Sequence, residues 1–315
     1  MECVAALGSR STAARWRYPV RAAASPAGGE DAGSGAVAPD TELHTRVVPG
    51  SGEHIPVIGL GTYRTFDVRP GQSVDDQREV LRRFHAGGGR VVDTSPMYGE
   101  AERVVGLVAD DLGITDSLFL ATKIWTRGGA AGREQAQESA RLLGRATIDL
   151  MQVHNLVDLR TQLATLTELR RDGHCRHVGV THYLSSRHDD LAALVTSAPI
   201  DFVQVNYSLL ERNAEHRLLP AAADHGVAVL VNQPFETSSL FGWVRDAALP
   251  DWAAELGIRS WAQYFLKFVL GHPAVTCVLP ATRVPVHMDE NLEAGRGPVP
   301  DEAMRRRMVE YFHEL

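Results

Sequence analysis

Cysteine is scarce in this chain, with 3 among 315 residues. Cys3, Cys175 and Cys277 are odd in number and far apart. That argues against a disulfide framework and fits a reducing compartment. Long apolar runs are missing too, so no segment is expected to span a membrane. Basic residues are not in excess. The formal net charge is −7, and there is no sign of the basic face that a nucleic-acid partner requires. What remains is a composition of 44% apolar and 23% charged residues, usual for a soluble globular protein.

Acids are also sparse at the start of the chain. Up to Gly29 the one acid is Glu2, whereas Arg10, Arg15, Arg17 and Arg21 are basic and Ala, Gly and Ser abound. No apolar stretch of secretory-signal length is present. Residues 1–44 read either as a disordered tail of a cytoplasmic protein or as a transit peptide to a chloroplast or mitochondrion. Both readings place the folded domain at 45–315.

From Thr45 onward, short apolar, β-branched runs alternate with helical patterns. The runs are IPVIGLG (55–61), RVVDTS (90–95), LFLATKIW (118–125), DLMQVHN (149–155), HVGVTHY (177–183), DFVQVNY (201–207), VAVLVNQP (227–234) and TCVLPAT (276–282). Continuous rather than alternating apolar character suits parallel strands buried on both faces. The intervening stretch 73–88 opens with a Ser cap and acids and stops on glycines. Stretches 100–113, 158–173 and 215–226 also read as helices, with Pro220 either in a first turn or at a bend. Eight strands alternating with helices predict an α/β chain folded as a single-domain (β/α)8 TIM barrel. A doubly wound open sheet is the runner-up. GLGTYR (59–64) is its nearest dinucleotide fingerprint, but Arg64 stands where the third glycine belongs. Beyond the β/α alternation no internal repeat is readable.

In such a barrel the active site lies at the carboxyl ends of the strands. There the sequence places Asp93, Lys123 and His154, ending the second, third and fourth runs, with Tyr98 in the loop after Asp93. Singly, each has a bland structural reading, as helix cap, snorkelling lysine, rim histidine or packing tyrosine. Jointly they suit one chemistry. Hydride addition to a carbonyl leaves charge on oxygen, and a proton must follow. A free phenol, with a pKa of about 10, is a poor acid at neutral pH. A neighbouring ammonium is expected to lower that value, and Asp93 supplies the counter-ion the buried ammonium needs. His154 is placed to orient the carbonyl oxygen.

At this point the chain resembles an aldo-keto reductase over about residues 45–315. The likeness rests on IGLGTY, DTSPMYG, ATK, QVHN, FVQVNYSLLER and LPATRVPVHMDENL, in that order. It implies a catalytic tetrad of Asp93, Tyr98, Lys123 and His154. It also implies reduction of an aldehyde or ketone to an alcohol with NADPH, NADH being the less favoured cofactor. Relatives with Glu in the histidine slot reduce carbon–carbon double bonds, so His154 points to carbonyls. By position, Thr282, Arg283 and His287 would meet the 2′-phosphate, and Glu290 and Asn291 the adenine. An arginine fork and a following helix N-terminus suit a phosphate on physical grounds as well. A surface arginine beside a proline turn is the alternative.

The family usually clamps the nicotinamide with Ser-Asn and a Gln. Here stand Thr181, His182 and Gln204. The usual stacking Tyr after strand seven is replaced by Asn232, followed by Gln233 and Phe235. Thr62 completes the implied cofactor set. Tyr63 and Trp125 are expected to line the substrate pocket. The chain stops at Leu315, soon after a terminal helical pattern, without the C-terminal loop that covers the pocket in many relatives, which predicts an open, permissive site. A second class is a cofactor-sensing subunit with little turnover, kept open by His182 and Asn232. A metal-dependent hydrolase is disfavoured. HCRH (174–177) reads as a surface loop at the far end of the barrel, and no metal site is expected. The expected partner is a small carbonyl compound, and both a monomer and a homo-oligomer are compatible with the sequence.

Overall fold

The structure is a computed structural model that describes residues 42–315. The tail-or-transit-peptide reading of residues 1–44 lies outside the described residues, except for its last three positions. The chain enters through an antiparallel hairpin, β1 (Thr45–Val47) and β2 (His54–Pro56). Eight parallel strands follow. They are β3 (Leu60–Gly61), β4 (Val91–Asp93), β5 (Phe119–Ile124), β6 (Ile148–His154), β7 (Cys175–His182), β8 (Phe202–Asn206), β9 (Ala228–Asn232) and β10 (Val275–Val278). Neighbours pair in chain order from β3 to β10. Parallel bridges Ile58–Val278 and Gly61–Ala281 join the last strand to the first and close the barrel.

The helices are α1 (Asp75–Ala86), α2 (Ala101–Asp111), α3 (Gly129–Leu142), α4 (Leu159–Arg171) and α5 (His188–Ser197), then α6 (Leu218–His225), α7 (Leu240–Trp243), α8 (Trp261–Leu270), α9 (Pro285–Ala294) and α10 (Glu302–His313). Charge placement explains their polarity. α1 opens with Asp75 and Asp76 and closes with Arg83 and His85, matching the positive and negative ends of the helix dipole. Pro220 falls in the first turn of α6, where its missing N–H costs nothing.

Inward-facing residues alternate along each strand. Toward the amino ends they are apolar. Val91, Phe119, Ala121, Leu150, Phe202, Ala228, Leu230, Cys277 and Leu279 form one interior cluster, and Val48 and Ile55 of the hairpin join it. The hairpin therefore plugs the floor of the barrel. Burying one such phenylalanine contributes about 1.5–3 kcal/mol. Toward the carboxyl ends the same faces turn polar, and the site begins there.

Three expectations need correction. The run 55–61 is not one strand. Its first residues belong to the hairpin and Leu60–Gly61 to the barrel, because Ile55 is needed in the floor plug. HCRH is not a surface loop. Cys175–His177 opens β7, with Cys175 and His177 buried. His177 packs between the rings of Phe119 and Phe202. Ser73 does not cap α1 from the N-cap position, which is Val74. Its hydroxyl instead accepts the Asp75 N–H at 3.1 Å and donates to the Asp75 carboxylate.

Candidate active site

Strand register brings the polar residues together. Lys123 lies opposite Gln152 across β5 and β6. His154 lies opposite Thr181, and Thr181 opposite Gln204. Asp93 ends β4 next to them. Side chains one or two levels above the apolar cluster thus share the upper interior. Gly179 makes room among them. A Cβ there would come 2.8 Å from the Phe202 carbonyl oxygen and 3.2 Å from Gln152 Cγ.

Lys123 Nζ donates to Asp93 Oδ2 at 2.7 Å and to the Thr94 carbonyl oxygen at 2.7 Å. Both side chains of the ion pair are closed to solvent. Burial opposes the ammonium charge, but Asp93 and the Tyr98 hydroxyl outweigh it and hold Lys123 above the ordinary lysine value. The second carboxylate oxygen, Asp93 Oδ1, accepts from Gln204 Nε2 at 2.8 Å and more weakly from Gln152 Nε2 at 3.5 Å. Gln204 Oε1 accepts in turn from Thr181 Oγ1 at 3.0 Å. A buried carboxylate is tolerated only with such a full set of partners.

Tyr98 is delivered by the loop between β4 and α2. Its N–H closes a turn onto the Ser95 carbonyl. The next residue, Gly99, adopts φ +62, and a Cβ there would lie 2.2 Å from Asp67 Oδ1. The same carboxylate oxygen accepts the Glu100 N–H at 2.9 Å, so the loop after β3 pins the loop that carries the phenol. The Lys123 ammonium lies 4.8 Å from the centre of the Tyr98 ring. Lys123 pulls the phenol down as anticipated from the sequence, through charge and a hydrogen bond. The net direction is nonetheless upward, because burial of the phenol outweighs that pull and Asp93 adds to it. The expectation of a lowered phenol is corrected on this point: the surroundings of the phenol favour its protonated form.

His154 ends β6. Burial first, then the charges of Lys123 and His182, depress its pKa to about 3, so the ring is neutral at physiological pH. Its ring meets Tyr98 edge-on at 5.8 Å and faces Trp125 at 6.5 Å. Tyr63 packs on Tyr98 with ring centres 5.0 Å apart. Tyr63 and Trp125 are each 44% exposed, and together they flank the opening above Tyr98 and His154. The Trp125 N–H is held by Gln135 Oε1 at 2.6 Å.

The remaining predicted residues fall around the same rim. Thr62 is buried, and its hydroxyl and N–H both donate to the Asp93 carbonyl oxygen. His182 stacks on Tyr183, and its Nδ1 accepts the Leu184 N–H at 3.2 Å, which leaves Nε2 as its other polar atom. Asn232 ends β9 with a buried side-chain oxygen, Oδ1, that has no partner among the described residues. Gln233 follows with a left-handed backbone, and Phe235 packs on Phe241. Beyond β10, Thr282 Oγ1 accepts the Val284 N–H at 3.0 Å. Arg283 and His287 are exposed beside the start of α9, Glu290 is half-buried and Asn291 buried. The orphaned oxygen of Asn232, at the end of the strand that pairs with the one carrying Gln204, fits an amide-bearing ring that has an N–H to give. The exposed arginine at a helix start fits a phosphate.

Two polar residues of the upper interior escaped the sequence reading. Gln152 was passed over as part of an apolar run, although its place two residues before His154 puts it on the same strand face. Ser95 closes the strand-like run 90–95 and carries no role in the sequence reading. It is fully buried and lies 3.0 Å from His154. Among the described residues no group of three or more His, Cys, Asp or Glu is gathered as a metal site would need, and no helix is long and apolar enough to cross a membrane.

Comparison with known proteins places this geometry. Residues 57–307 match the model of the family described as "Aldo/keto reductase family". Aldo-keto reductase YhdN of Bacillus subtilis is 30% identical over 190 residues, a match covering 55% of this chain and 56% of that protein's length. The NADH-specific methylglyoxal reductase of Escherichia coli is 26% identical over 244 residues, covering 67% of this chain and 73% of that protein. Among solved structures, an aldo-keto reductase of Klebsiella pneumoniae in complex with NADPH superposes with a TM-score of 0.72 at 25% identity, over 86% of this chain and 95% of that one.

Proposed function

This chain belongs to the aldo/keto reductase family of oxidoreductases, and on that premise we propose that it reduces an aldehyde or ketone to the alcohol with NADPH, Tyr98 giving the proton. The observation that carries the reading is the buried Asp93–Lys123 pair set against the Tyr98 ring, beside a neutral His154.

The nicotinamide cofactor supplies the hydride that goes to the carbonyl carbon. This chain's residues handle the oxygen. A neutral His154 donates a hydrogen bond to the carbonyl oxygen and fixes its direction without adding charge. Burial favours the protonated phenol of Tyr98, so the proton is there to give. As negative charge develops on the substrate oxygen, that oxygen becomes the stronger base and takes the proton. The Lys123 ammonium then stabilises the phenolate left behind, at the moment it forms. Asp93, held by Lys123 and Gln204, keeps the ammonium from moving off. Thr181, Gln204 and Asn232 would hold the nicotinamide amide, with Thr62, His182, Gln233 and Phe235 around it. Thr282, Arg283 and His287 would hold the 2′-phosphate, with Glu290 and Asn291 at the adenine. Tyr63 and Trp125 offer aromatic walls to an apolar carbonyl compound.

The test is NADPH oxidation followed by absorbance against a panel of aldehydes and ketones, repeated with NADH. Turnover that prefers NADPH, and loses that preference in Arg283→Ala, supports the reading. Tight NADPH binding without turnover on any carbonyl would favour the alternative, a cofactor-sensing protein. A preference for NADH, the specificity carried in the name of the Escherichia coli relative, would overturn the phosphate assignment alone.

A further inference from the structure

The stretch that carries Asp93 and Tyr98 also carries a residue with no part in the family reading above. Ser95 is fully buried. Its Oγ lies 3.0 Å from His154 Nδ1 and accepts the Met97 N–H at 3.3 Å. No other hydrogen bond of this hydroxyl exists among the described residues. That leaves two arrangements of protons. If Nδ1 carried the imidazole proton and donated it to Oγ, the serine O–H would be left in the buried interior with no acceptor among the described residues, at a cost of about 1–3 kcal/mol. If Nδ1 accepts instead, the serine O–H is satisfied, the Met97 N–H is satisfied, and the imidazole proton sits on Nε2.

We propose that Ser95 is a positioning residue that locks His154 as the Nε2-protonated neutral tautomer, so that the ring presents a donor, not a lone pair, to the substrate oxygen. A neutral imidazole has one donor and one acceptor nitrogen, and which is which decides whether it attracts or repels a carbonyl oxygen. Ser95 settles this from behind the ring. It also ties β6 to the loop carrying Tyr98, so the two groups that meet the oxygen share a common anchor. This rests on the carbonyl-reductase reading for its consequence, but not for its geometry.

The experiment uses the full chain labelled with 15N at histidine, with His154 assigned from the resonance lost in His154→Gln. In the parent protein at neutral pH, His154 should show a protonated Nε2 and an unprotonated Nδ1. In Ser95→Ala that signature should give way to a mixture of tautomers or to Nδ1–H. With NADPH and a reactive aldehyde, the same variant should lose about tenfold or more in kcat, with the KM for NADPH unchanged and the far-ultraviolet dichroism of the parent retained. Ser95→Thr, which keeps the hydroxyl, should retain the parent's tautomer. Should Ser95→Thr misfold, the spectra of the parent and of Ser95→Ala decide the matter alone. A parent spectrum with the proton on Nδ1, or an alanine variant that keeps both the tautomer and kcat, overturns the proposal. A parent protein that reduces no carbonyl would defeat the functional reading while leaving the spectrum to decide the tautomer.

Discussion

Lys123 Nζ sits 2.7 Å from Asp93 Oδ2, and neither side chain of the pair meets solvent to any real extent. Two charges so placed are bound to each other's presence. Removing one leaves the other uncompensated, at a cost of about 3–5 kcal/mol. Lys123→Met should therefore lower unfolding free energy by roughly that amount in a urea titration, as well as abolish turnover. The double variant Lys123→Met/Asp93→Asn should recover a good part of the stability and none of the activity. Equal stability of the single and double variants would contradict the pairing.

Tyr98→Phe separates proton donation from binding. The ring contact with Tyr63 survives the change, and the hydroxyl does not. Turnover should fall by about two orders of magnitude or more, while NADPH titrated by fluorescence binds as in the parent. A variant that retains a tenth of parental kcat would remove Tyr98 from the reaction.

His154 makes a prediction about acid. Its pKa of about 3 in the fold lies below the value of about 6.5 expected in the unfolded chain. The unfolded state thus binds the proton more readily, and the stability owed to neutral His154 is complete above pH 6.5 and is lost as pH falls from there toward 3. Urea midpoints between pH 7 and pH 4 should decline less steeply in His154→Gln than in the parent. Parallel declines would show that the ring is not desolvated as described.

The two described cysteines should be silent. Burial raises the Cys175 thiol to about 12 and pushes Cys277, inside the barrel, higher still. Thiolates are the reactive form. An alkylating reagent at pH 8 should leave both unmodified in peptide mass spectra of the folded protein and label both in urea.

Gly99→Ala tests how the phenol is aimed. The added methyl meets a φ of +62 and the Asp67 carboxylate at 2.2 Å. The strained turn alone should cost upwards of about 1 kcal/mol. Activity should fall further than stability, because the turn also sets where Tyr98 stands. Loss of stability with parental kcat would mean that the loop tolerates a shift of its glycine without moving the ring.

Much of this was legible in the residues. Eight parallel strands buried on both faces write themselves as apolar runs, and the polar residue that interrupts each run near its end marks the rim. Asp93, Lys123 and His154 are legible that way, whereas Gln204 is legible through the family resemblance alone. The hairpin was not legible, because two strands of three residues leave too short a pattern to distinguish from the barrel strand that follows. Ser95 closes the run 90–95 with nothing in the sequence to mark a partner; only the fold shows its hydroxyl buried beside His154 on β6. The direction of the Tyr98 shift was also out of reach. Sequence names the charge that pulls on the phenol but does not weigh it against how much water the loop excludes.

The hairpin at the floor has a last consequence. With Val48 and Ile55 filling the amino end, the barrel is a vessel with one doorway. A molecule that reaches the depth of His154 therefore comes and goes on the side of the strands' carboxyl ends, past the aromatic rings of Tyr63 and Trp125.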